Sequence, residues 1–312
     1  MPWNDRIKRR LKLRDLDILA TLIDTGSMGK AAARLNTSQP AVSKAIAELE
    51  AALGVRLVDR GRRGIMPTPY GLALQKRSVA IFNDLRQGMQ DIDFLSDPTT
   101  GEIRIGTTLP LSIAVISPCI ERLSRKYPRM RFHVSRGNAE TLYREVIERN
   151  VELAICRVFG PLPDDLTAEV LFHDSLAVLA SAQNPLTRRR KLTLAELLNE
   201  PWIQLPADGL FGSVVAGMFR SRGLAPPQPT IVTHFGYLQD DLIAKGRFLM
   251  VVPGFMLKVP QWRPRLKALR VDLPDTRGPI GLITLKNRML TPLAQLFIAN
   301  IRAIAKGMER DA

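Results

Sequence analysis

Apolar residues recur along the first hundred positions with the period of a helix. In Arg14–Asp24, Leu16, Leu19, Ala20 and Ile23 fall on one face, and Thr25-Gly26 stops the pattern. Ser27 opens a short second helix, Met28–Leu35, whose Ala31-Ala32 pair admits a close neighbour. After the turn Asn36-Thr37, Ser38 caps a third helix, with Pro40 in the first turn where its missing N–H costs nothing. Val42, Ile46, Leu49 and Leu53 then form one stripe, and Gln39, Pro40, Ser43, Lys44 and Ala47 lie roughly opposite. Val55–Arg60 and Ile65–Pro67 flank Gly61-Arg62-Arg63-Gly64 as a predicted β-hairpin. Thr68-Pro69 opens a long helix to about Leu95. Leu74, Ile81, Leu85, Ile92 and Leu95 fall near a heptad seam, with Ser78 and Gly88 as weak members. Ser96–Gly101 has the composition of a linker.

From Glu102 the rhythm changes. Predicted strands are Glu102–Thr107, Arg131–Ser135, Glu152–Cys156, Leu176–Ala180, Trp202–Leu205, Thr230–Thr233, Phe248–Val252, Lys267–Asp272 and Ile280–Leu285. Helices are predicted over Leu111–Lys126, Ala139–Arg149, Leu194–Asn199, Ser213–Arg222, Tyr237–Ala244 and Thr291–Lys306. This alternation predicts a parallel-rich sheet covered by helices, and its length suggests two α/β lobes.

Composition sharpens the picture in three places. The 312 residues carry a net charge of +15, which favours a polyanionic partner, nucleic acid ahead of an acidic membrane. Charge does not locate that partner, because residues 1–95 hold 16 Lys/Arg against 10 Asp/Glu and the excess continues beyond them. Cys119 and Cys156 lack metal-ligand spacing and sit in apolar contexts, so buried thiols in a reducing cytoplasm are expected. Arg6-Ile7-Lys8-Arg9-Arg10 is followed by no apolar segment of a signal peptide, and the uncharged run Ile105–Ile120 is broken by prolines and too short to span a bilayer.

Two helices joined by a tight turn, the second with a short polar outer face, make a helix-turn-helix. Gln39 can read adenine, Lys44 guanine and Ser43 either, while the helix start near Ser38 and Pro40 favours phosphate. Arg60, Arg62 and Arg63 on the hairpin would touch phosphate or the minor groove, the alternative being a solvated arginine turn.

With these residues in view the chain resembles the LysR-type transcriptional regulators from end to end. Asp24-Thr25-Gly26-Ser27-Met28-Gly29-Lys30-Ala31-Ala32 resembles the family's acidic-x-Gly-Ser-aromatic-x-basic-Ala-Ala segment, and Ser38–Lys44 its recognition-helix opening. Leu49-Glu50, Leu53-Gly54-Val55, Leu57 and Asp59-Arg60 resemble its helix end and wing, and Thr68-x-x-Gly71 its linker-helix start. Met28 and Val58 stand where phenylalanine is usual, and Gly29 where a hydroxyl residue is usual; these departures touch packing more than base reading.

The resemblance implies a winged helix-turn-helix (residues 1–67), a linker helix and hinge (68–100) and a two-lobed effector domain similar to periplasmic binding proteins (101–312). Its first lobe would comprise about 102–172 and 274–305, with the second inserted. It further implies a cytoplasmic bacterial homodimer formed through the linker helix, or a tetramer, on an imperfect DNA palindrome beside RNA polymerase. The effector would be a sugar or an aromatic or organic acid, with no cofactor and no metal.

An open α/β cleft gathers ligands at strand C-termini and helix N-termini. Thr107, Thr108, Asn138 and Arg157 lie at such positions, and Phe211, His234 and Phe235 are candidates from the other lobe. Each has a plainer role open to it: helix caps for Thr107 and Thr108, an interface salt bridge for Arg157, a loop hydrogen bond for His234. No GxxxxGK loop or GxGxxG fingerprint occurs, and His133, His173 and His234 lie far apart, so nothing marks an enzyme. A DNA-processing enzyme carrying a helix-turn-helix is the alternative; it would need an acidic metal cluster. A solute-binding protein would lack residues 14–71.

Overall fold

In a computed structural model that describes residues 11–61, 64–97, 100–206, 209–259 and 265–310, the chain separates into two compact units, Met1–Met89 and Gln90–Ala312. The first begins with α1 (Leu13–Thr25), which ends where Gly26 takes a left-handed φ of 63° and returns its N–H to Leu22 O. The buried face of α1 holds Leu16, Ile18, Leu19 and Leu22, with Ala20 and Ile23 at its edge. It is wider than the predicted stripe because two helices pack on it. Ser27 caps α2 (Met28–Arg34). Ser38 Oγ accepts the Ala41 N–H at 3.3 Å to start α3 (Gln39–Leu53), which buries Val42, Ala45, Ile46 and Leu49.

The wing pairs β1 (Val58–Gly61) antiparallel with β2 (Gly64–Pro67). Two contacts outside the hairpin hold it. Ile65 N–H donates to Gly26 O at 3.0 Å, and Glu50 Oε1 accepts from Leu57 N–H at 2.7 Å and Val58 N–H at 3.3 Å. Thr68 then starts α4 (Pro69–Ser96): its hydroxyl donates to Arg56 O at 2.7 Å and accepts from Gly71 N–H at 3.1 Å. A Cβ on Gly71 would overlap Leu57 O, so this approach of helix to wing requires glycine. The spacing of Thr68 and Gly71 is thus a packing requirement.

The heptad seam is divided. Leu74 packs on the helix-turn-helix core and Ser78 is fully buried, its hydroxyl donating to Leu74 O at 2.8 Å. Leu74 is therefore covered by its own unit. Ile81, Leu85, Ile92 and Leu95 are exposed, together with Leu72, Val79 and Met89.

The second unit has two five-stranded sheets. In the first, β3 (Thr100–Thr107), β4 (Arg129–Arg136) and β5 (Leu153–Arg157) run parallel. Between β3 and β4 the chain passes through α5 (Leu109–Leu111), a π-helical turn (Ser112–Ile116) and α6 (Ser117–Lys126). Pro118 brings no N–H to this helix, and Ser117 N–H reaches back to Ser112 O, which accounts for the turn. α7 (Ala139–Ile147) lies between β4 and β5, and β6 (Leu166–Asp174) follows.

The chain then crosses to the second lobe: β7 (Leu176–Ser181), β8 (Trp202–Gln204), α8 (Leu210–Arg220), β9 (Ile231–Val232), α9 (Gly236–Ala244), β10 (Leu249–Pro253) and β11 (Leu266–Ala268). It returns as β12 (Gly278–Leu285) and α10 (Pro292–Arg310). The sheet orders are β4-β3-β5-β12-β6 and β11-β7-β10-β8-β9.

The parallel-rich expectation is corrected, because both sheets are mixed. β12 runs antiparallel to β5 and β6, and β7 antiparallel to β10 and β11. Both antiparallel entrants follow or precede a crossover between lobes, where no helix intervenes to reverse the chain. An apolar cluster including Ile103, Val115, Ile155 and Phe297 from one lobe and Leu179, Met250 and Phe255 from the other runs through both. Trp202 and Phe219, ring centroids 5.9 Å apart and edge to face, anchor a further cluster in the second lobe.

Candidate functional site

Two surfaces hold the residues that the sequence singles out. On α3 Val42, Ile46 and Leu49 of the apolar stripe are buried and Leu53 is partly so, and Gln39, Pro40, Lys44 and Ala47 are exposed opposite them, with Ser43 half-buried. Ser38 is exposed too, although its oxygen already serves the helix start. Lys44 Nζ lies 3.9 Å from Glu48 Oε1 across one turn, a contact weak enough to yield to a stronger acceptor. Arg60 belongs to β1, while Arg62 and Arg63 lie outside the described residues.

The second surface is a cavity of about 710 Å³ between the lobes of the Gln90–Ala312 unit. Thr108, Asn138, Arg157, Phe211 and His234 line it. Thr107 and Phe235 do not. Thr107 is buried with its hydroxyl donating to Ile155 O at 3.1 Å, and Phe235 is 75 % exposed at the start of α9. The Thr107 hydroxyl is thus spent on the backbone of β5, and Thr108, the first residue past the strand, reaches the opening.

Asn138 serves its own helix, its Oδ1 accepting from Thr141 N–H at 2.9 Å, which leaves its amide donors over. Arg157 stands in the wall but its guanidinium is engaged. It donates to Asp174 O at 3.2 Å and to Thr276 O, and lies 3.9 Å from Asp174 Oδ2. Asp174 in turn accepts from Gly254 N–H at 3.0 Å and Phe255 N–H at 2.8 Å, while Thr276 Oγ1 accepts from Leu176 N–H at 2.9 Å. This buried hub ties both crossovers to the end of β10. Burial pushes the Asp174 carboxyl above its ordinary range, against the pull of two backbone donors and Arg157, and burial lowers Arg157 despite Asp174. Desolvation exceeds pairing on both sides.

Sequence reasoning missed Arg136, Glu140, Gln239 and Asp240, all of which line the cavity. Arg136 ends β4 as Arg157 ends β5, so the same strand-end criterion finds it. It donates to His234 O at 3.3 Å across the lobes, and Glu140 Oε1 accepts the Leu210 N–H at the start of α8 at 2.9 Å. Nothing local marks Gln239 and Asp240, because α9 has almost no one-sided pattern to tell cavity from solvent. Among the described residues no group of three or more His, Cys, Asp or Glu could hold a metal ion, and no helix is long and apolar enough to cross a membrane.

A winged helix-turn-helix with a polar outer face and a two-lobed domain enclosing a small-molecule cavity together define an effector-responsive transcriptional regulator. The comparisons name the family. A profile of the LysR substrate binding domain matches residues 96–306, and one of the bacterial regulatory helix-turn-helix protein, lysR family, matches residues 13–72. The chain belongs to the LysR-type transcriptional regulators, which bind DNA and form oligomers.

The HTH-type transcriptional regulator GbpR of Azospirillum brasilense is 29 % identical, the alignment covering 100 % of this chain and 92 % of that protein. Full-length CbnR in complex with its target DNA superposes with a TM-score of 0.69 at 19 % identity, covering 94 % of this chain and 100 % of CbnR. Full-length OxyR from Pseudomonas aeruginosa, carrying a cysteine-to-aspartate substitution, gives 0.65 at 18 % identity, covering 96 % of this chain and 97 % of that one. At these identities the structural likenesses speak for the fold alone.

Proposed function

We propose that this regulator reads an imperfect DNA palindrome with α3, placing Gln39, Ser43 and Lys44 on base edges and Ser38 and Pro40 against the backbone. Arg60, Arg62 and Arg63 of the wing take phosphate or the minor groove. The exposed polar face of α3 carries this reading. The open stretch of α4 from Ile81 to Leu95 pairs with a second copy, and residues 1–67, 68–100 and 101–312 act as reader, coupler and sensor. The effector is a small polar molecule held between the lobes by Thr108, Asn138, Phe211 and His234, with Arg157 in the wall. Its binding alters promoter occupancy and contact with RNA polymerase in the bacterial cytoplasm, without catalysis.

Selection of binding sites from a random DNA library, repeated with Gln39→Ala, Lys44→Ala and Arg60→Ala, tests the interface. The first two should lose roughly 1–3 kcal/mol at one or two base positions, and the third should weaken all sequences alike and flatten the salt dependence. Identical profiles for Lys44→Ala and Arg60→Ala would refute the assignment of reader and wing.

A further inference from the structure

The polar groups of the cavity wall differ between the lobes. The first lobe supplies donors (the Thr108 hydroxyl, which caps no helix; the Arg136 guanidinium, with one N–H on His234 O; and the Asn138 amide) beside one carboxylate, Glu140, whose Oε1 is taken by the Leu210 N–H. The second lobe supplies acceptors from α9. Gln239 spends one amide N–H on Thr233 O at 2.7 Å, which leaves its oxygen and its second N–H, and Asp240 has no hydrogen bond or ion pair among the described residues. Its neighbour Asp241 is the paired one, 2.7 Å from Lys245 Nζ. Burial alone holds the Asp240 carboxyl above its ordinary range, with no cation to offset it. A half-buried carboxylate without donors destabilises the free protein, and a ligand that brings donors relieves it.

We infer that Asp240 selects the effector. The class it selects is a small molecule presenting hydrogen-bond donors, as hydroxyls or an ammonium, to α9 and acceptors to Thr108, Arg136 and Asn138. A simple carboxylic acid meets half of this wall and sets a second negative charge facing Asp240. The engaged guanidinium of Arg157 does not compensate, because Asp174 already neutralises it. This inference rests on the reading of the cavity as the effector site and narrows the ligand class within it.

The test is thermal unfolding and isothermal titration of the full chain with D-glucose and D-xylose (hydroxyl donors), L-glutamine (ammonium and carboxylate), and succinate and benzoate (carboxylates alone), each at up to ~50 mM, a concentration that reveals even millimolar affinities. At least one donor probe should raise the unfolding temperature, and Asp240→Asn should weaken it by about 10- to 100-fold. A hydroxyl ligand falls at the low end of that range, because asparagine still accepts a hydrogen bond, and an ammonium ligand at the high end. Asp240→Asn should also raise the melting temperature of the free protein, while Asp241→Asn leaves donor binding unchanged. Succinate or benzoate binding more tightly than every donor probe overturns the inference, as does donor binding within twofold of wild type in Asp240→Asn. Silence from all five probes overturns the effector reading of the cavity along with it.

Discussion

Replacing Arg157 by Met separates its two roles, because methionine keeps much of the aliphatic length and removes every donor. In wild type the guanidinium serves Asp174 O, Thr276 O and the Asp174 carboxylate. The substitution takes the side-chain donor from two buried carbonyls and leaves the Asp174 carboxylate with the Gly254 and Phe255 N–H groups and the charge of Lys258. Removing one partner of a buried ion pair costs about 3–5 kcal/mol. At roughly 2–4 °C per kcal/mol for a unit of this size, melting should fall by about 6–20 °C.

The pH dependence has a definite sign. The Asp174 carboxyl lies above its ordinary range in the fold, and losing Arg157 raises it further, so the native variant binds more protons than the unfolded chain near that pKa. Its stability therefore improves as pH falls toward the folded pKa, and the deficit relative to wild type should be smaller at pH 5 than at pH 8. Calorimetry of the full chain at both values gives the answer. An Arg157→Met protein that melts within about 1 °C of wild type at pH 8 would refute the hub. If it also lost affinity for an effector, Arg157 would belong to the ligand contacts instead.

Three further outcomes follow from other contacts. Gly71→Ala forces a Cβ into Leu57 O and should destabilise the helix-turn-helix unit by roughly 2–4 kcal/mol; a second melting transition that stays in place would locate the damage, and an unshifted first one would exclude it. Ile81→Asp with Leu85→Asp should leave monomers by light scattering and abolish tight operator binding, because these exposed apolar residues are the proposed contact between copies. Arg302 holds the Glu169 carboxyl below its ordinary range through paired 2.7 Å hydrogen bonds, so its stabilisation exists above the unfolded carboxylate pKa and disappears as pH falls through the folded one. Screening at this exposed pair limits it to about 0.5 kcal/mol, and Arg302→Ala should show that loss in chemical denaturation at pH 7 but not at pH 3.

What the sequence disclosed depended on whether a residue's role was local. Ser27, Ser38 and Thr68 cap helices through bonds three residues long, and the apolar stripe of α3 is buried as its period predicts. Strand β6 escaped notice because its burial does not alternate: Val170 is exposed while Leu171 and Phe172 are both buried. The register shift between Ile280 and Gly281 of β12, which faces this stretch, breaks the two-residue period that would have marked it. Leu74 fits a heptad, yet its packing on the helix-turn-helix core turns it inward, and Ser78, the next seam position, is buried as well. Arg157 shows the same limit in the site. Its position at a strand end was legible, but the partners Asp174 and Thr276 lie 17 and 119 residues away.

Signalling through a thiol is the natural rival to signalling through a bound molecule, and the two cysteines decide between them. Thiol chemistry requires a thiolate that solvent and oxidant can reach. Cys119 and Cys156 have no exposed surface, and burial pushes both thiols up to about 12. They also belong to different apolar clusters, Cys119 beneath the Phe297 carbonyl of α10 and Cys156 among Tyr143, Val146 and Leu166. Neither sits beside a cation that outweighs its desolvation: Arg122 lowers Cys119 by less than burial raises it. On the proposed effector reading, the groups that answer a chemical signal are the uncommitted ones in the cavity, which would act by hydrogen bonding and charge. Because Arg136 and Glu140 join the two lobes at that cavity through His234 O and Leu210 N–H, a ligand that competed for either bond would shift the balance between lobe arrangements. Such a shift would be limited by the ligand's differential affinity for the two arrangements, and on the proposed effector reading these two cross-lobe bonds are where binding would be converted into a change of shape.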